Sequence, residues 1–264
     1  MKTDLKHQLV VVADDVEHAR ESSVARNIRE AREKLFDEKY PWNWTNALTL
    51  RGLEKLANTL QSTPEEIAII STKESDSITF PPGHPRRKVV YARHPASATL
   101  YYPVASFHRK AFEHKFAEVL RLLTSLGARK VRVEHEKGWE RDFGVDFSAV
   151  VPEASNQGSA GFSSSSKADE RLLFEATLKG NTTPKIPDSL VWFPHEPLWQ
   201  EIARNRIDHG MEAFNLTINY ADDYGVNAKL MATLTQASFE LGGSFEEHIS
   251  TTWRITGEFN HPLD

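Results

Sequence analysis

Residues 143–151, FGVDFSAVV, and 171–179, RLLFEATLK, decide the reading of this chain. In the first, Phe143, Val145, Phe147, Ala149 and Val151 share one face; in the second, Leu172, Phe174, Ala176 and Leu178 do. A strict period of two belongs to a strand with one buried and one solvated face, so the organising element is a sheet that is wet on one side. Three more stretches alternate in the same way, Arg129–Glu136, Phe214–Tyr220 and His248–Phe259. A doubly wound parallel sheet would need strands apolar on both faces, and these are not.

Between the strands lie helical patterns. Pro103–Leu126 carries Phe112, Phe116, Val119, Leu123 and Leu126 in steps of four and three, a buried stripe closed by Gly127. Leu198–His209 stops at Gly210, and Val226–Leu241 at Gly242 and Gly243. The expected fold class is α+β, a mainly antiparallel or mixed sheet covered by helices on one face. A polar, proline-bearing linker, Lys73–Arg87, sets a boundary near residue 80 and divides a helical N-terminal module, 1–80, from an α+β domain, 81–264.

The N-terminal module reads as helical over Val16–Asp37 and Thr49–Leu60, followed by a short helix capped at Thr63 with Pro64 first and Glu66 completing a capping box. The stretch TLRGLEKLANTLQSTPEEI, Thr49–Ile67, resembles the tail of phage-repressor-type helix-turn-helix domains. The segment that should supply a recognition helix, Lys39–Asn46, is aromatic and too short. The resemblance therefore implies a helical packing module able to hold a partner, with DNA binding as the minor reading.

Composition narrows the function. The 264 residues can bury a sizeable core, and a net charge of −5 argues against a surface built to coat nucleic acid. The one basic run is Arg86, Arg87 and Lys88. With no cysteine, thiol nucleophiles, disulfides and thiolate metal sites are excluded together, and no metal or other cofactor is expected. Neither a signal-peptide pattern nor a run of roughly 20 apolar residues occurs, so the reading places the chain in the cytoplasm.

Catalytic templates are missing: no Gly-x-Ser-x-Gly, no dinucleotide fingerprint and no phosphate loop is present. The densest aromatic and polar group, Trp192, His195, Glu196 and Trp199, lies in a proline-bounded irregular segment and is the best pocket candidate. His135 falls on the apolar face of its strand. With His195 and Glu196 it supplies the acid and base candidates of an enzyme, a hydrolase or transferase. His114, Glu118 and Arg121 read as a solvated charged face, His108 as a core histidine, and Asp222 and Asp223 as helix-capping residues.

Three functions fit this pattern. The first is a non-catalytic binding, regulatory or effector protein acting through a protein partner or a second copy of itself, with Trp192, Trp199, Arg86, Arg87 and Lys88 as binding residues. The second is a pore-forming effector whose sheet assembles into a membrane barrel, an arrangement similar in architecture to gasdermin and perforin-like proteins though without a sequence motif of either. Only this alternative involves a membrane. The third is the His and carboxylate enzyme. Absence of any catalytic template favours the first.

Overall fold

Four consecutive apolar residues, Leu9–Val12, leave no alternation to read, and all four are buried. Such a run suits a strand covered on both faces. In the computed structural model, which describes residues 8–13, 67–139, 171–236 and 239–260, it is the first strand of a mixed sheet. The elements run β1 (Leu9–Ala13), β2 (Ile67–Ser71), α1 (Thr72–Ser75), β3 (Val90–Arg93) and β4 (Tyr101–Pro103). After a 3-10 turn over Val104–Ser106 come α2 (Phe107–Ser125), β5 (Ala128–Lys137) and β6 (Leu172–Thr177). A second 3-10 turn, Phe193–His195, precedes α3 (Pro197–His209), β7 (Ala213–Tyr220), α4 (Ala228–Gln236) and β8 (Thr251–Phe259).

Among the described residues the chain is α+β, with two four-stranded sheets where one was expected. It divides into two compact units, residues 1–110 with 223–248 and residues 111–222 with 249–264. In the first, the strand order is β2-β1-β3-β4; β1 pairs parallel with β2 and antiparallel with β3. Val10, Val12, Ile70, Val89, Tyr91 and Tyr101 form its core. Residues 9–13 and 67–71, placed within a helical module by sequence, are strands, because short β-branched runs without alternation carry no period to distinguish them. The helices expected over 16–37, 49–60 and from Thr63, the repressor-like stretch up to residue 66, and the alternating stretch 143–151 all lie outside the described residues.

Local chemistry explains the turns of this unit. Ser71 accepts from the Glu74 N–H at 3.1 Å while the Glu74 carboxylate accepts from the Ser71 N–H at 2.9 Å, a capping box that ends β2 and starts α1. At α4, Asn227 Oδ1 accepts from Leu230 N–H at 3.2 Å, and Asn227 is itself held by Asp223 Oδ2 at 3.1 Å. Asp223 therefore acts one step behind the cap. The helix expected to run on to Leu241 gives way instead to an isolated bridge between Glu240 and Val89.

The second unit holds the antiparallel sheet β6-β5-β8-β7 that the alternation announced. The even residues of β7 and the odd residues of β8 make its buried face: Phe214, Leu216, Ile218 and Tyr220 with Trp253, Ile255 and Phe259. Helix α2 covers that face, Phe112 and Phe116 meeting Trp253 edge-on at ring separations of 4.8 and 4.9 Å. Arg206, 3% exposed, donates to the carbonyls of Leu126, Met211 and Asn260 and so satisfies the ends of three segments. On the wet face, Arg132 pairs with Glu134 at 2.7 Å, and Arg254 with Glu136. Among the described residues, no helix is long and apolar enough to cross a membrane.

Gly257, in the middle of β8, lies opposite Phe214 and Val131. A methyl group there would collide with the Lys130 carbonyl oxygen and with the Phe214 ring. Gly257→Ala is expected to lower the unfolding free energy by about 1–3 kcal/mol through overpacking, read from the denaturant midpoint at unchanged slope.

Candidate functional site

The loop that joins β6 to α3 is held by α2. Glu118, at 0% exposure, accepts the backbone N–H groups of Val191, Trp192 and Phe193 at 2.7, 2.7 and 2.8 Å. These are the N–H groups that lead into the 3-10 turn over Phe193–His195, where a carboxylate is favoured by both hydrogen bonding and the turn's dipole. One turn earlier on α2, Lys115 Nζ pairs with Glu196 Oε1 at 2.5 Å, donates to the Asn219 carbonyl at 2.9 Å and stands 4.9 Å from the centre of the Trp192 ring. Gln200 Nε2 closes the far side on the carbonyls of Phe193 and Pro194 at 2.9 and 3.1 Å.

Of the face read as solvated, Arg121 is exposed and His114 half-buried, but Glu118 is buried as a clamp on the loop and must be reassigned. A sequence shows Glu118 four residues after His114 on one helical face; it does not show that a loop of backbone donors will cover that face. Glu118 was the residue whose role the pattern missed, and the available signal was its place between Phe116 and Val119, both fully buried. His108 is indeed a core histidine, its Nε2 at 2.6 Å from the Val226 carbonyl.

The nominated residues are distributed as follows. Trp192 and Trp199 are buried at 4% and 1% exposure and anchor the loop and the start of α3. His195 is exposed, and Glu196 is committed to Lys115. His135 is half-buried on β5, with Nε2 at 3.0 Å from the Gly138 carbonyl. No hydrogen bond or ion pair joins His135 to His195 or to Glu196. Among the described residues, no group of three or more histidine and carboxylate side chains is placed to hold a metal ion.

Arg86, Arg87 and Lys88 are all exposed. Their loop is pinned by the Tyr91 hydroxyl, which accepts the Arg86 N–H at 2.6 Å and lies 2.8 Å from His84 Nδ1. Lys88 has φ 63°, a left-handed conformation that costs about 1 kcal/mol for a residue with a Cβ. It is retained by bonds on both sides, Lys88 N–H to the Val12 carbonyl and Glu240 N–H to the Lys88 carbonyl. Burial holds His84 below the ordinary histidine range, with the Arg86 guanidinium acting in the same direction. No protein-family model, curated protein or solved structure matches the chain.

Removing the Glu118 carboxylate orphans three N–H groups. Glu118→Ala is expected to lose roughly 3 kcal/mol or more of stability, whereas Glu201→Ala, which breaks an exposed pair with Arg204, stays within about 0.5 kcal/mol. Thermal or chemical denaturation of the two variants makes the comparison.

Acid should act in two stages. Burial lowers the His114 pKa; Glu118 opposes this and Arg121 reinforces it. The unfolded chain then takes up the proton before the folded one, and stability declines as pH falls below about 6.5. The Asp223 pKa is lowered by the Gly225 N–H and then by Asn227, against burial and with help from His248 and His108. Its contribution persists above about pH 4 and disappears as pH falls through the lowered value. His114→Asn is expected to reduce the upper stage, leaving the part due to the lowered His84, and Asp223→Asn to flatten the lower, in denaturation midpoints measured against pH.

Proposed function

We propose that the chain is a non-catalytic binding protein that acts through a protein partner, with the Arg86, Arg87 and Lys88 loop as its contact for an acidic surface. The observation that carries this reading is the exposure of all three basic side chains on a loop whose backbone is tied down at Arg86 and at Lys88. A pinned loop has already lost the freedom that binding would otherwise remove, so its charges engage a partner at lower entropic cost. Trp192 and Trp199 enter as supports of the fold, since buried rings offer a partner no surface.

The net charge of −5 favours a local acidic patch on a protein over the continuous charge of nucleic acid, which would be repelled by the rest of the chain. Contact at exposed charges acts mainly on association rate and weakens with salt.

The triple variant Arg86→Glu, Arg87→Glu, Lys88→Glu is expected to abolish capture of an acidic protein partner retained by the unaltered chain at low salt. Tyr91→Phe, which removes the pin and leaves the charges, should weaken it several-fold. Undiminished capture by the triple variant, or stronger binding to an RNA or DNA duplex than to any protein in the same assay, would overturn the reading.

A further inference from the structure

Among the described strands, β7 is an outer edge of the antiparallel sheet. Strand β7 reads AFNLTINY over Ala213–Tyr220, eight residues without a charge, a proline or a glycine. All eight pair with β8 in unbroken register. Exposed strand edges are usually protected by charged residues, proline or bulges. Among the described strands the other end of the sheet, β6, differs: it is six residues long, carries Glu175, and its pairing with β5 shifts register between Val133 and Glu134.

The direction of the backbone groups follows from one bond. Phe259 N–H donates to the Glu212 carbonyl at 2.8 Å, so the even-numbered positions exchange hydrogen bonds with β8. Ala213, Asn215, Thr217 and Asn219 therefore turn N–H and C=O away from β8, toward the edge. The Asn219 carbonyl accepts Lys115 Nζ from that side at 2.9 Å. A carbonyl has two lone pairs, and a cross-strand donor can use the second.

The sequence of β7 is also its own antiparallel complement. Read about Thr217, Phe214 mirrors Tyr220, Asn215 mirrors Asn219, and Leu216 mirrors Ile218. We propose that β7 pairs antiparallel with β7 of a second copy across a two-fold axis at Thr217, joining two four-stranded sheets into one of eight strands. In this register the outward-facing Thr217 of each chain forms a hydrogen-bonded pair with its counterpart. Asn215 meets Asn219 of the second copy, so amide faces amide and no charges meet along the paired strands. An isologous contact of this kind closes on itself and stops at the dimer. At the two ends Glu212 falls opposite Asp222 of the second copy, beyond the paired strands. The inference stands independently of the partner reading above.

The test uses the full chain, which contains no cysteine. Sedimentation is expected to show a concentration-dependent doubling of mass. Thr217→Glu gives each chain an internal partner, Arg254, its neighbour across β8, but sets two carboxylates face to face on the axis. It should raise the dimer Kd by roughly tenfold or more while the circular dichroism is unchanged.

Thr217→Cys should cross-link to a dimer with a short bis-maleimide. Asn215→Cys alone should not, because its counterpart lies about 13 Å along the strand. A mixture of Asn215→Cys and Asn219→Cys chains should cross-link. Single-chain mass at every concentration, dimerisation of Thr217→Glu equal to the unaltered chain, or equal cross-linking by Thr217→Cys and Asn215→Cys alone would each overturn the proposal.

Discussion

The carboxylate of Glu118 is the constraint on which the second unit depends. A charge at zero exposure has given up its hydration, a cost of several kcal/mol that only full hydrogen bonding returns. Three backbone N–H groups from one short segment provide it, and they can do so only if residues 191–193 lie against α2 in a single orientation. The loop's shape is then a consequence of the helix. Lys115, one turn away, repeats the logic with the opposite sign by engaging Glu196 and the Asn219 carbonyl, so one helix face registers both the loop and β7.

Much of this unit was legible in advance. The stripe Phe112, Phe116, Val119, Leu123 and Leu126 is buried throughout, and β5, β6, β7 and β8 lie where alternation placed them, because a half-covered sheet forces polarity to follow the pleat. Gly210 ends α3 at φ 65°, as a glycine after a helical pattern should. The first unit was less legible for an equally physical reason. Leu9–Ala13 and Ile67–Ser71 are too short and too uniformly apolar to carry a period, and their pairing joins positions more than fifty residues apart. The two strands announce themselves only together. The same holds for the capping box at Ser71 and Glu74, one of several serine or threonine positions with a glutamate three residues on.

The candidate site was legible by composition and misjudged in role. Trp192, His195, Glu196 and Trp199 are dense in the sequence because the loop needs two aromatic anchors and one ion-pair partner, and such a set looks like a pocket until burial is known. The basic run was visible as charge. That Tyr91, buried in the core of the first unit, sends its hydroxyl out to hold the Arg86 backbone could not be inferred from spacing.

The order of strands in the antiparallel sheet has a consequence for biosynthesis. β8 lies between β5 and β7, yet among the described strands it is the last to be made. Until it emerges, β7 has no strand beside it, and β5 lacks its neighbour on that side. An apolar face that includes Phe214, Leu216 and Ile218 is meanwhile already synthesised. The residues 223–248 that separate β7 from β8 belong to the other unit, so the ribosome must deliver that excursion before the sheet can close. Folding of this unit is therefore necessarily late and non-local, and the nascent chain passes through an interval in which its stickiest strand has two open sides.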